Sequence, residues 1–310
     1  MTAAPLRWLV WQKRVTTAGA AGDDVRKTLL RVAAEVAAAC PRGFVPTRRW
    51  VSSGVTVKPV GMRGRGRCDV SCPERSIYVN RSDNRQTQQF TVAHEIGHLL
   101  LSSLPANRLR EMSLREEEDL CDEFAHRVIV PPAELAHKLA GEIPLPEWVL
   151  RLCGDFEANP STMVRALGGQ LDLARHAYLL ARLRPHYLRP AITGFRVDAA
   201  AGPNGLFWPQ HQRIEGLGLR ALADAAREAP HGAFFEGNDE RMVVPLARVD
   251  VKTRHNAMVG GVRWQGVRQG RKEPYVLALI DCSGLVSERL EGRDEADRSH
   301  ILLRRGTVAA

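Results

Sequence analysis

Apolar residues recur every three to four positions through the first half of the chain and give way to short runs and alternation in the second, which predicts a helical half followed by a strand-rich one. Val25, Leu29, Val32 and Val36 share one helical face, with Asp23 and Asp24 at its start and Pro41 beyond its end. Residues 50–60, 68–70 and 75–80 then read as three strands of a small antiparallel sheet, and the arginine-bearing stretch 61–67 between them as a mobile hairpin tip. Asp83 and Gln86 form a capping box ahead of a helix whose apolar stripe is Phe90, Ala93, Gly97, Leu100 and Leu101. After a polar connection over 101–111, Ser113 and Glu116 cap a second helix that Pro131 and Pro132 terminate. Short helices are expected at 133–140, 147–153 and 161–167, the last two spaced like a helix-turn-helix, and a longer segment at 171–183 closes this half.

From residue 190 the texture changes. Strands are expected at 192–197, 205–208, 233–236, 242–251, 258–264 and 275–281, with one strongly helical stretch at 217–229 and a charged, exposed tail at 288–299. The chain is therefore expected to be α+β, with an N-terminal arm over 1–22, a helical domain over 23–189 and a second, α+β domain over 190–310. That second domain carries no metal cluster, nucleophile motif or phosphate loop in its sequence, so its ligand is left open.

With 310 residues and 44% hydrophobic content, two ordinary cores are within reach. The apolar run 6–11 meets Gln12, Lys13 and Arg14, too short for a signal peptide, and no span of membrane length follows; a soluble cytoplasmic protein is expected. The six cysteines are scattered and read as reduced thiols, and Cys68 and Cys72 lack the second pair a zinc finger requires. The net charge of +9 is uneven: residues 1–110 hold 18 Lys and Arg against 7 Asp and Glu. A basic half of this kind suits DNA or an acidic protein, and a solvated arginine-rich surface equally.

The chemistry is concentrated in His94-Glu95-Ile96-Gly97-His98. On a helix, residues four apart stand roughly 6 Å along one face, so both imidazoles reach a single zinc ion. Glu95 lies beside that ion without needing to bind it, the position of a base that takes a proton from the water the ion activates. A third ligand is expected on the next helix. Glu116, Glu117, Glu118, Asp119, Asp122 and Glu123 all qualify chemically, and phase separates them only partly, with Glu118, Cys121, Asp122 and Ala125 on one face.

Three ordered blocks carry a resemblance. Ile77-Tyr78-Val79-Asn80, then Gln89-Phe90-Thr91-Val92-Ala93-His94-Glu95-Ile96-Gly97-His98-Leu99-Leu100, then Glu118 through Cys121, Asp122, Phe124 and Ala125 to Val130-Pro131 resemble the ImmA/IrrE zinc metallopeptidases. The departures are Asp122 where that family usually has Asn, Val130 for Met and Gln89 for Arg. The resemblance implies a zincin-like fold, zinc as cofactor with manganese as an alternative ion in activity, Glu118 as third ligand, and Asp122 orienting a histidine from the second sphere. It also implies a helix-turn-helix repressor as substrate, and a GAF-like sensor where residues 190–310 stand. The substrate is expected to add to an edge strand made of Ile77, Tyr78, Val79 and Asn80. A second reading is a DNA- or protein-binding regulator, antitoxin-like, with a structural zinc; an intact Glu95 favours the peptidase, because a structural site has no use for a base.

Overall fold

A computed structural model describes residues 3–22, 24–69, 75–171, 173, 176–185, 193–202, 220–247, 254–269 and 275–281. The chain is mixed α+β and divides into two compact units, Met1–Lys138 with Cys153–Asn159, and Leu139–Leu152 with Pro160–Ala310.

The first unit opens with helix α1 (Ala3–Ala21), where an arm was expected over 1–22. Trp8, Trp11, Val15 and Ala18 recur at helical spacing and are all buried, and Trp11 Nε1 donates to Glu35 Oε2 at 3.1 Å. The Thr-Thr-Ala-Gly composition obscured a stripe that packing supports. Helix α2 (Val25–Ala39) follows, capped by Asp24, whose carboxylate accepts from Lys27 N–H, and burying Val25, Leu29, Val32 and Val36; Asp23 lies outside the described residues.

The strand expected over 50–60 is only half strand. Helix α3 (Pro46–Arg49) and a 3-10 turn (Trp50–Ser53) come first, ended by Gly54 at φ 79°, a conformation that favours glycine. Strand β1 (Thr56–Val60) then joins β2 (Gly66–Cys68) and β3 (Ser76–Asn80) in the order β1-β3-β2. This sheet is mixed, not wholly antiparallel: β1 runs parallel to β3, and β2 antiparallel to it. Part of the expected mobile tip is β2 itself, and the loop before it is tied down by Asn80, whose Nδ2 donates to Met62 O and Gly64 O at 3.1 Å each. Val70 and Cys72 lie outside the described residues.

Helix α4 (Arg85–Leu101) is capped by Asn84, whose Oδ1 accepts from Thr87 N–H at 2.8 Å; the cap sits one residue later than the Asp83–Gln86 box expected. Helix α5 (Ala106–Glu111) occupies what read as a polar connection. Helix α6 (Leu114–Ile129) has the reciprocal Ser113–Glu116 capping box the sequence predicts, and α7 (Pro132–Leu139) follows at the proline pair.

Beyond α7, helices α8 (Pro146–Phe156) and α9 (Pro160–Gln170) run longer than the short pair expected there. The second unit centres on an antiparallel sheet of β4 (His176–Pro185), β5 (Thr193–Ala201), β6 (Phe234–Ala247), β7 (Arg254–Gln269) and β8 (Tyr275–Asp281), ordered β5-β4-β8-β7-β6. Ala177, Leu179 and Ala181 alternate onto the same buried face as Val276, Ala278 and Ile280, and helix α10 (Arg220–Glu228) covers them with Leu222, Ala223 and Ala226. β4 pairs with both β5 and β8, so the sheet begins before the boundary expected at 190. The expected strand at 205–208, residues 192, 217–219 and 248–251, Cys282 and the charged tail lie outside the described residues.

Candidate metal centre

Two helices build the site. At Gly97 of α4 an added Cβ would lie 3.1 Å from Cys121 Sγ and 3.3 Å from Cys121 Cα, so glycine lets α6 approach closely. Along that contact His94 stands opposite Asp122 and His98 opposite Glu117, so the helices run antiparallel past each other.

Both rings use the same nitrogen in the same way. His94 Nδ1 lies 2.9 Å from Asp122 Oδ1, and His98 Nδ1 lies 2.8 Å from Glu117 Oε1. A carboxylate accepts, so each Nδ1 carries the proton and each Nε2 is left with a lone pair. The two Nε2 atoms converge to 3.0 Å, and Glu118 closes the triangle with Oε2 3.3 Å from His94 Nε2 and Oε1 3.4 Å from His98 Nε2. Two donors on a tetrahedral zinc ion at its usual bond lengths stand about 3.3 Å apart, so the triangle has the size one ion requires. Among the described residues His94, His98 and Glu118 form a group able to hold a metal ion, with ligand atoms all within 4.8 Å of one another. Acids were expected on α6, and the role of Glu117 was the one not anticipated. Its signal was present: on antiparallel helices, the partner of a histidine four residues on lies four or five residues back.

Burial lowers the pKa of His94, but the hydrogen bond and charge of Asp122, with the charges of Glu118 and Glu95, outweigh it, and the net shift is upward. Glu95 is buried on the flank of α4 that faces β2, where an added Cβ at Gly66 would lie 3.5 Å from Glu95 Oε1. Glu95 and the two histidines are thus close in sequence and separated in direction.

The expected substrate strand requires correction. β3 is the centre of its sheet, paired on both sides, so its backbone has no free ladder positions to offer a peptide. Ile77 and Val79 are buried, Asn80 holds the loop before β2, and Tyr78 lies between Lys58 and Arg67, whose cations stand 5.7 and 5.0 Å from its ring centre. The two edges of this sheet are β1 and β2. Asn80 N–H donates to Arg65 O and Asp69 N–H to Ser76 O, so alternate residues bond inward and Gly66 and Cys68 turn their backbone groups outward.

The family model for peptidase M78, described as the IrrE N-terminal-like domain, matches residues 55–150 and so spans β1 to α7 with every group of the centre. That match makes residues 55–150 similar to a peptidase-family domain. Among solved structures, a Mycobacterium tuberculosis transcriptional regulator is similar at 11% identity, covering 86% of this chain and 92% of that one with a TM-score of 0.45. No curated protein matches. Among the described residues no helix is long and apolar enough to cross a membrane.

Proposed function

We propose that this chain is a zinc-dependent, site-specific endopeptidase that cleaves a helix-turn-helix transcriptional repressor in the cytoplasm and so controls a stress or mobile-element response. The observation that carries this reading is the convergence of His94 Nε2, His98 Nε2 and Glu118 at tetrahedral spacing, with Asp122 and Glu117 aiming the two rings. A bound zinc ion, or manganese in its place, would act as a Lewis acid that acidifies water and polarises the scissile carbonyl. Glu95 takes the proton of the attacking water and returns it to the leaving nitrogen. The peptide lies extended along β2, pairing with the outward backbone groups of Gly66 and Cys68. Residues 190–310 act as a regulatory or sensor domain.

The decisive experiment mixes the full chain with small helix-turn-helix repressors from the same genome and adds zinc or manganese. One discrete cleavage is expected, abolished by a chelator and absent with Glu95→Gln, which still binds the metal and the repressor. Equal cleavage by wild type and Glu95→Gln would sink this reading.

A second reading has one observation in its favour. Lys58, Tyr78 and Arg67 form a single cross-strand row on the sheet, two cations about an aromatic ring, which suits a nucleic-acid regulator. Duplex DNA binding that weakens steeply with salt, without cleavage of any repressor, would favour it.

A further inference from the structure

The two edges of the first unit's sheet differ in what they offer a further strand. On β1, Thr56 N–H donates to Arg75 O and Arg81 N–H to Val60 O, so in this parallel ladder residues 56, 58 and 60 bond inward to β3, and Val57 and Pro59 turn their backbone outward. Proline has no N–H, so one of these two outward donors is missing and the β1 edge is blunted. β2 carries no such block. Gly66 and Cys68 keep both backbone groups outward, and β2 rests on the helix that carries Glu95, where a Cβ added at Gly66 would lie 2.2 Å from Thr91 Cγ2. An added peptide therefore joins this sheet at β2.

Successive residues of β2 alternate between the faces. Gly66 faces α4, so Arg67 projects from the opposite, outer face, where its guanidinium carbon stands 5.0 Å from the ring centre of Tyr78, its cross-strand partner on β3. Lys58, paired with Tyr78 from the other side, brings a second cation 5.7 Å from the same ring. Among the described residues no carboxylate forms an ion pair with either cation. Two like charges about one ring leave this face short of negative charge.

We propose that Arg67 is a specificity-determining residue of the β2 edge, selecting peptides with an aspartate or glutamate at the one position of the docked strand that faces it. This rests on the peptidase reading above. Residues directly opposite across a β ladder share a face, whichever way the added strand runs, so the side chain opposite Arg67 enters the outer face beside the guanidinium. An opposite charge in such a pair is attracted and a like charge repelled. Lys58, two strands further in, adds to the positive potential without reaching the peptide.

The test incubates the full-length, zinc-loaded chain with a denatured, proteome-derived peptide library and maps the cuts by mass spectrometry for wild type, Arg67→Lys and Arg67→Glu. Arg67 is exposed on the face turned from α4, so all three proteins should hold equal zinc. Wild type and Arg67→Lys should enrich Asp and Glu about threefold at one fixed distance from the cut, and Arg67→Glu should replace that preference with Lys and Arg at the same distance. Cleavage without an acidic preference, or with one that Arg67→Glu leaves in place, overturns the role of Arg67 while the peptidase reading stands. A wild-type chain that cuts neither the library nor the repressors overturns both. Binding of a fluorescently labelled DNA duplex, read by anisotropy, checks the competing occupant: loss of binding in Arg67→Glu with an unchanged cut profile would assign the row to nucleic acid and overturn the proposal.

Discussion

Glu117 Oε1 lies 2.8 Å from His98 Nδ1, so the acid immediately before the proposed third ligand is engaged in aiming a ring and leaves its neighbour Glu118 facing the two Nε2 atoms. Adjacent carboxylates on α6 therefore have different tasks, set by the hundred-degree turn between them.

His94→Ala, His98→Ala and Glu118→Ala should each lower zinc affinity by at least about a hundredfold, because two remaining protein donors hold an ion poorly. Glu117→Ala and Asp122→Ala should each cost about ten- to a hundredfold by freeing a ring, and Glu116→Ala, which lies in the capping box, should leave affinity unchanged. Chelator competition measures all six. Full affinity in Glu118→Ala would transfer the third ligand to another acid of α6.

The upward shift of His94 has opposite consequences for the metal-free and the metal-loaded protein. The folded pKa stands above the ordinary 6.5, so His94 contributes stability to the metal-free protein that is fully present below 6.5 and is lost as pH rises through the folded value. Zinc requires the neutral ring, so its affinity should rise over that same interval as the proton leaves. Thermal melts with and without zinc across pH 5 to 9, roughly the range in which imidazoles titrate, should show the two trends diverging. Parallel curves would mean that folding does not raise the His94 pKa.

Gly97→Val should destabilise the first unit by about 1–3 kcal/mol and weaken zinc binding together, since the new side chain meets Cys121 Sγ and backbone and pushes α6 from α4. Urea melts and zinc titration read the two effects. A stable Gly97→Val protein with full zinc affinity would show that the helices tolerate a wider spacing.

Deletion of residues 1–22 should cost more than removing a tether would. It takes away buried Trp8, Trp11 and Val15, and truncating one buried tryptophan alone costs about 3–5 kcal/mol. Truncation after residue 189 should likewise give an aggregation-prone fragment, because β4 loses both β5 and β8 and presents two bare edges. Light scattering and circular dichroism distinguish these outcomes from two well-folded fragments.

Much of the first unit was legible in the sequence because its elements are local. The stripe of α2, the caps at Asp24 and Ser113 and the His94–His98 spacing each depend on residues within a turn or two of one another. The same local logic set Glu95 beside the two histidine rings and directed attention to the acids of one helix.

What the sequence left undecided depends on partners distant along the chain. Periodicity reports that 76–80 is a strand but not that β1 and β2 flank it, so its central place follows only from long-range pairing. The same holds for α1, whose stripe is informative only once α2 lies beneath it, and for β4, which reads as the end of one domain until β8 pairs with it. Helical phase separated the acids of α6 only partly, and what sets them against the two rings is the antiparallel register fixed by the contact of Gly97 with Cys121: a one-residue slip would rotate Glu117, Glu118 and Asp122 out of their places at once.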